Sequence, residues 1–156
     1  MNTYNYELDF SKIKELRIEH ELSQQEISKI LNINQSTYSK FELNKATIPI
    51  ELLNKLANYY NVSLDYLLKI TNDPKIVIMN KEINKKEVGE NLKKLRKERK
   101  LYQETLAQEI GTSHSLISEY ESGKKLVSLT YGYAICKKYH ISLDWLYGKI
   151  KHSHDS

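Results

Sequence analysis

An internal repeat limits the folds that this chain can adopt. The stretch "SLDYLL" at residues 63–68 returns as "SLDWLY" at residues 142–147, which is 79 positions later. At the same offset, residues 14–69 align with residues 93–148 without a gap, and identical residues are spread along the whole stretch. Two copies of so long a period exclude a solenoid and predict two small domains of one fold.

Two turns are marked in both copies by residues that readily adopt left-handed backbone. Asn32 aligns with Gly111, and Asn44 aligns with Gly123. Glycine and asparagine tolerate a positive φ, which ends helices and turns the chain sharply. The two turns enclose residues 33–43 in the first copy and 112–122 in the second. We predict that each of these segments forms a short helix.

Capping residues and apolar spacing predict the other helices. Ser23 and Glu26 form a capping-box pattern at the second helix, which we expect to bury Ile27, Ile30 and Leu31. The prediction is an all-α fold with five helices in each copy. In the first copy the first helix spans residues 10–20, and the other four begin near Ser23, Asn34, Pro49 and Ser63. Ser113 and Ser142 are the matching caps of the third and fifth helices in the second copy.

The second copy departs from the first at two helix positions. Tyr102 replaces Ser23, so its second helix loses a side-chain cap at a cost of about 1 kcal/mol. Gly132 replaces Leu53 inside the fourth helix, which costs roughly another 1 kcal/mol. These differences predict that the second domain is the less stable one.

Composition and charge favour a cytoplasmic protein with a polyanionic partner. Residues 1–73 hold 8 basic and 10 acidic residues, whereas residues 74–156 hold 16 and 10, for a net charge of +4. A basic half is typical of nucleic-acid binding, although a solvated face has the same composition. The chain shows no long apolar run, no secretion signal and a single cysteine, which predicts a reduced compartment and no membrane span.

The titratable residues predict no enzyme, no cofactor and no metal site. Cys136 aligns with Ala57 on the predicted buried face of the fourth helix and is expected in the core. His152 and His154 belong to a tail that we expect to be exposed and disordered. There is no glycine-rich phosphate loop and no zinc-ligand spacing.

Residues 22–45, "LSQQEISKILNINQSTYSKFELNK", and residues 101–124, "LYQETLAQEIGTSHSLISEYESGK", resemble the core of phage-repressor-like, Xre/Cro-type DNA-binding domains. The resemblance covers residues 10–70 and 89–148. It implies two tandem lambda-repressor-like helix-turn-helix domains, at 1–70 and 88–150, with a linker at 71–87 and a tail at 151–156. The function it implies is a sequence-specific transcriptional regulator, most simply a repressor, that binds double-stranded DNA.

In such domains the third helix enters the major groove, so the resemblance assigns base reading to its outward residues. Glutamine pairs with adenine, histidine contacts guanine and glutamate accepts from cytosine, but Glu119 also repels phosphate. A plain solvated helix face is the alternative. The assigned residues are Gln35, Ser36, Ser39 and Lys40 in the first copy and His114, Ser115, Ser118 and Glu119 in the second.

Phosphate contacts and one ion pair in each copy are also implied by the resemblance. The pairs are Arg17 with Glu42 and Arg96 with Glu121, and the alternative is that each arginine contacts phosphate alone. The residues assigned to phosphate are Ser23, Gln24 and Lys45 in the first copy and Gln103, Lys124 and Lys125 in the second.

The linker and the partners remain open at this point. Residues 71–87 could extend to about 55 Å, enough for half-sites about 34 Å apart. Their apolar part, residues 76–79, either docks on its own domain or pairs with another chain. A homodimer and a protein antagonist are further candidate partners, because one repeat of a regulator or antitoxin can serve as a protein-interaction or dimerisation module.

Overall fold

A computed structural model describes residues 6–74 and 80–151. The chain divides into two compact units, whose described residues include 7–74 in the first and 80–151 in the second. The predicted all-α class is confirmed, since the described residues form ten α-helices and no strand. The first unit holds α1 Ser11–Glu19, α2 Gln24–Leu31, α3 Gln35–Glu42, α4 Ile50–Tyr60 and α5 Leu64–Leu67. The second holds α6 Lys85–Glu98, α7 Gln103–Ile110, α8 His114–Glu121, α9 Leu129–Tyr139 and α10 Leu143–Leu146.

The predicted caps form as hydrogen bonds at the helix starts. The Ser23 hydroxyl accepts from the Glu26 amide at 3.0 Å, while the Ser23 amide donates to the Glu26 carboxylate at 2.9 Å. Ser63 and Ser142 cap α5 and α10 through their hydroxyls alone, which accept from the Tyr66 and Trp145 amides. Among the described residues, α7 starts at Tyr102 without a side-chain cap, as predicted.

Both predicted left-handed turns are present in each unit. Asn32 and Gly111, with φ of 57° and 79°, end α2 and α7. Asn44 and Gly123, with φ of 55° and 77°, follow α3 and α8. The short third helix is therefore held between two sharp bends in each unit.

The cores follow the predicted apolar stripes, with two errors. Ile27 and Leu31 of α2 are fully buried, but Ile30 is 43% exposed, so its predicted burial is wrong. A two-turn helix presents only one narrow stripe to the core, and Ile27 and Leu31 occupy it. The apolar spacing of the fourth helix also predicts burial of Leu52, which is only half-buried. Cys136 is a buried core residue, as expected.

The start of α6 differs from the prediction. Lys85–Glu98 has 14 residues against 9 in α1, and it begins inside the segment predicted as linker, 71–87. Asn84 caps it by accepting from the Lys86 and Glu87 amides. Gly89 lies in the added stretch and lets α6 pack closely on α8, because a Cβ at Gly89 would lie 2.2 Å from the Tyr120 carbonyl oxygen.

The apolar residues 76–79 of the linker and residues 152–156 of the tail fall outside the described part of the chain.

Gly132 has a packing role that the sequence did not reveal. A Cβ at this position would lie 2.4 Å from the Tyr147 hydroxyl oxygen. That buried hydroxyl donates to the carbonyl oxygens of Val127 and Ser128, at 2.8 and 3.0 Å. Leu53 and Leu68 occupy the matching positions of the first unit, so the glycine makes room for a larger aromatic ring. The packing of Tyr147 thus partly offsets the loss of stability that a glycine causes inside α9.

Candidate nucleic-acid interface

In the first unit, α3 carries the polar face that was predicted to read bases. The Asn34 side-chain oxygen caps the helix, accepting from the Thr37 amide at 2.9 Å, the Thr37 hydroxyl at 2.7 Å and the Ser36 hydroxyl at 2.9 Å. Tyr38 and Phe41 are buried on the opposite side. Of the four predicted residues, Gln35, Ser36 and Lys40 are exposed and Ser39 is half-buried.

In the second unit, α8 carries the matching face with a different charge pattern. His114, Ser115 and Ser118 are exposed. The Glu119 carboxylate is paired with the Lys125 ammonium at 3.1 Å. This pair offsets the repulsion that Glu119 would exert on phosphate, but it also ties up a lysine that was predicted to bind phosphate.

The Arg17–Glu42 pair lies beneath the first helix-turn-helix. The guanidinium donates to both carboxylate oxygens, at 2.6 and 3.2 Å, and also to the Leu22 carbonyl at 2.9 Å. Only 2% of the Glu42 side chain and 13% of the Arg17 side chain are exposed. The hydrogen bonds with Glu42 raise the pKa of Arg17.

A tyrosine and a glutamine complete the surroundings of Glu42. The buried Tyr38 hydroxyl donates at 2.7 Å and the Gln24 amide at 3.0 Å. Burial opposes ionisation of Glu42, but the hydrogen bonds from Arg17, Tyr38 and Gln24 outweigh burial and hold its pKa below the ordinary value. Burial, followed by the bond to Glu42, raises the pKa of Tyr38 far above its usual range.

The second unit repeats the ion pair with one group fewer. Arg96 donates to the two Glu121 oxygens at 2.7 and 2.9 Å and to the Leu101 carbonyl at 2.8 Å. The Gln103 amide donates to the same carboxylate at 3.2 Å. Ile117 stands where the first unit has Tyr38, so there is no hydroxyl at this position.

The two glutamines that were predicted to hold phosphate are thus bonded to the buried carboxylates. Gln24 is joined to Glu42, and Gln103 is joined to Glu121 and to His114, whose Nε2 lies 2.9 Å from the Gln103 side-chain oxygen. They link the ion pair to the start of the neighbouring helix. Sequence reasoning missed this link, and the signal was the constant Arg–Gln–Glu spacing in both copies.

The remaining predicted phosphate contacts have mixed surroundings. Lys45 and Lys124 are exposed just after α3 and α8. The exposed Ser23 already accepts from the Glu26 amide through its hydroxyl. The two exposed lysines therefore offer positive charge beside each polar face, whereas Ser23 serves first as a cap.

The described residues show neither a metal cluster nor a membrane-spanning helix. Within residues 6–74 and 80–151, no group of three His, Cys, Asp or Glu side chains is placed to hold a metal ion. No helix in this part of the chain is long and apolar enough to cross a bilayer.

The sequence matches a known protein family and several curated proteins. A helix-turn-helix family model matches residues 13–67 and again residues 92–146. The chain is 33% identical over 63 residues to YobD, named an uncharacterised HTH-type transcriptional regulator of Bacillus subtilis. It is 35% identical over 77 residues to YonR, a regulator of the same organism named as derived from the SPbeta prophage. It is 33% identical over 58 residues to RstR of Vibrio cholerae, named a cryptic phage CTXphi transcriptional repressor.

The matches to individual relatives are partial. They cover 40%, 43% and 37% of this chain and 56%, 71% and 52% of YobD, YonR and RstR, so the chain spans little more than half of two of them. The two family matches, by contrast, take up most of the chain and coincide with the two described units. This chain therefore belongs to the helix-turn-helix family of Xre/Cro type, in two tandem copies.

Proposed function

We propose that this protein is a sequence-specific regulator of transcription, acting as a repressor, that reads double-stranded DNA with α3 and α8. The observation that carries the proposal is the duplicated recognition helix. In each unit a short helix is held between two left-handed turns, buries one face and leaves its first residues exposed. The names of the relatives as transcriptional regulators and a phage repressor support the same function.

The two faces offer chemistry that suits base edges and phosphates. Gln35 presents an exposed amide at the start of α3, and such an amide pairs bidentately with adenine in the major groove. Lys45 and Lys124 lie just after the two helices, where their charge would add sequence-independent affinity. The buried ion pairs hold each recognition helix against α1 or α6.

Tandem units gain affinity from the covalent connection. A single half-site contact is weak, but a linked second unit binds as an intramolecular event, which raises affinity by ~10²–10⁴. Since α6 begins at Lys85, the connection between the predicted end of the first domain and this helix has fewer residues than expected. Fully extended, 14 residues span about 50 Å, against about 34 Å for one helical turn of DNA. The Asn80 amide donates to the Lys149 carbonyl at 3.4 Å, so the full reach requires this bond to open.

Selection of bound sequences from a random pool of duplex DNA, with the full chain, tests the function. Enrichment of one motif is the expected result, and Gln35→Ala should weaken binding to that motif by ~1–3 kcal/mol while barely changing binding to random DNA. Gln108→Ala removes an exposed glutamine of α7 away from the proposed faces and serves as the matched control. Equal losses on both DNAs would show that Gln35 does not read sequence, and no enrichment at all would reject the function.

A second candidate function, in which the first repeat is a dimerisation module, is favoured by one observation. Four large apolar side chains of the first unit are exposed: Ile18, Ile30, Leu43 and Tyr59. Their counterparts in the second unit are Lys97, Glu109, Ser122 and Lys138. Sedimentation equilibrium of the full chain and of Ile30→Glu, which installs the second unit's residue, tests this function. A dimer that the variant dissociates would support it, and a wild-type monomer would reject it.

A further inference from the structure

A chain of hydrogen bonds in the second unit ends on the first residue of α8. Arg96 forms a two-point ion pair with Glu121, and the Gln103 amide donates to the Glu121 Oε1 at 3.2 Å. The Gln103 side-chain oxygen then lies 2.9 Å from His114 Nε2. The chain runs from a buried charge to an exposed imidazole on the proposed DNA-reading face.

The chemistry of these groups decides which way each proton points. A carboxylate in an ion pair only accepts hydrogen bonds, so Gln103 must turn its amino group towards Glu121. Its carbonyl oxygen, which also only accepts, is then left facing His114. The imidazole must therefore donate from Nε2. In the neutral ring the remaining nitrogen, Nδ1, is unprotonated and accepts.

We propose that this chain of hydrogen bonds makes His114 a specificity-determining residue that reads DNA through an unprotonated Nδ1. Such an acceptor selects a base that offers an amino group in the major groove, namely adenine N6 or cytosine N4. It disfavours guanine, whose N7 and O6 also accept, in contrast to the guanine contact expected from the sequence. Gln103 is a positioning residue that acts through His114. The inference rests on the proposed function.

The first unit lacks the last link of this chain. Gln24 is bonded to Glu42 as Gln103 is to Glu121, but within the described residues Gln35 has no side-chain hydrogen bond. Gln35 keeps both an amide donor and a carbonyl acceptor for a base. The first unit is thus expected to select adenine at this position, whereas the second accepts cytosine as well as adenine, so the two halves of the binding site are read by different rules.

The tautomer can be tested in the full chain without DNA. Nitrogen-15 NMR of the histidine rings, at a pH where they are neutral, distinguishes Nε2–H from Nδ1–H. His20 is an internal control of opposite sign, because its Nδ1 lies 2.8 Å from the Leu16 carbonyl oxygen and must donate. We expect His114 as Nε2–H with a resolved ring proton that Gln103→Leu abolishes, and His20 as Nδ1–H. An Nδ1–H tautomer at His114 would overturn the inference.

The base preference is tested by repeating the random-pool selection with variants. At the position facing His114 we expect adenine or cytosine to be preferred over guanine by about fivefold or more, the low end for a base contact. Gln103→Leu should weaken that preference while Gln108→Leu, on the same helix, leaves it unchanged. His114→Gln should make the second half-site resemble the first.

The outcomes separate this inference from the proposed function. An enriched motif whose base preference at this position survives His114→Ala would overturn the inference and leave the function standing. A wild-type chain that enriches no motif would reject the function and the base preference together, whatever the tautomer. A guanine preference at the His114 position would show that the ring reads DNA as a donor, which also overturns the inference.

Discussion

Removing the buried carboxylate should destabilise both units, and the first more than the second. Loss of one partner of a buried ion pair costs about 3–5 kcal/mol when burial is complete. The Arg17 and Arg96 side chains keep 13% and 12% exposure, so water partly solvates the orphaned cation. We therefore expect Glu121→Ala to cost about 2–3 kcal/mol. Glu42→Ala should cost about 1 kcal/mol more, because it also strands the buried Tyr38 hydroxyl.

The two units can be followed separately in the intact chain. Trp145 is the single tryptophan of the sequence and is buried in the second unit, so its fluorescence during urea unfolding reports that unit. Amide hydrogen exchange measures the free energy of opening of each unit. Glu19→Ala and Glu90→Ala are matched controls, because both glutamates are exposed on α1 and α6.

Two results would refute this reasoning. Losses no larger than those of the two controls would show that the ion pairs contribute little to stability. The hydroxyl argument has its own check, since adding Tyr38→Phe to Glu42→Ala should recover about 1 kcal/mol by removing the stranded donor. A further loss in that double variant would show that the Tyr38 hydroxyl had found another partner.

Three further predictions use differences between the repeats, each measured by the same unfolding and exchange assays. Tyr139→Phe should destabilise the second unit by about 1 kcal/mol, because the Tyr139 hydroxyl donates to Glu109 of α7. The matching change Tyr60→Phe should cost nothing, since within the described residues the Tyr60 hydroxyl is buried without a partner. Equal losses of stability in the two variants would contradict this prediction. Gly132→Ala should destabilise the second unit by ~1–3 kcal/mol, because the added methyl group clashes with the Tyr147 hydroxyl. In a Tyr147→Leu background the same change should stabilise the unit by about 1 kcal/mol, since alanine favours a helix interior over glycine. Effects of the same sign in both backgrounds would reject the packing argument. Burial lowers the pKa of Lys149 from 10.5 to about 8. Between these two pH values the unfolded chain binds more protons than the folded chain, so the stability of the second unit should rise between about pH 8 and 10.5. A rise that persists in Lys149→Ile, which installs the residue of the first unit at this position, would have another cause.

The features that depend only on neighbouring residues were predicted well. The capping box of Ser23 and Glu26 and the left-handed turns at Asn32 and Gly111 involve atoms within four residues of one another. Their conformations are set by local sterics and short-range hydrogen bonds, which residue type reveals directly. The outward faces of α3 and α8 were predictable too, because buried apolar residues at helical spacing leave the other positions exposed.

Other left-handed positions escaped sequence reasoning. Glu21 and Lys100, with φ of 55° and 56°, and Asn61 and His140, both with φ of 55°, occupy matching turns. Glutamate and lysine have no preference for this backbone region, so their conformation follows from the packing of the helices on either side. The exposure of Ile30 has the same origin, because the neighbouring helices decide which stripe of α2 is covered.

The sequence alone reveals the period of 79 residues, the helical class, the caps and the two turns that present the third helix of each unit. The contacts between side chains that are distant in the sequence depend on the packing of the helices. Tyr38 reaches the Arg17–Glu42 pair, Tyr147 occupies the space left by Gly132, and Gln103 connects Glu121 to His114. These contacts depend on distances between helices and on the direction of hydrogen-bond donors, and no local pattern of residue types encodes either quantity.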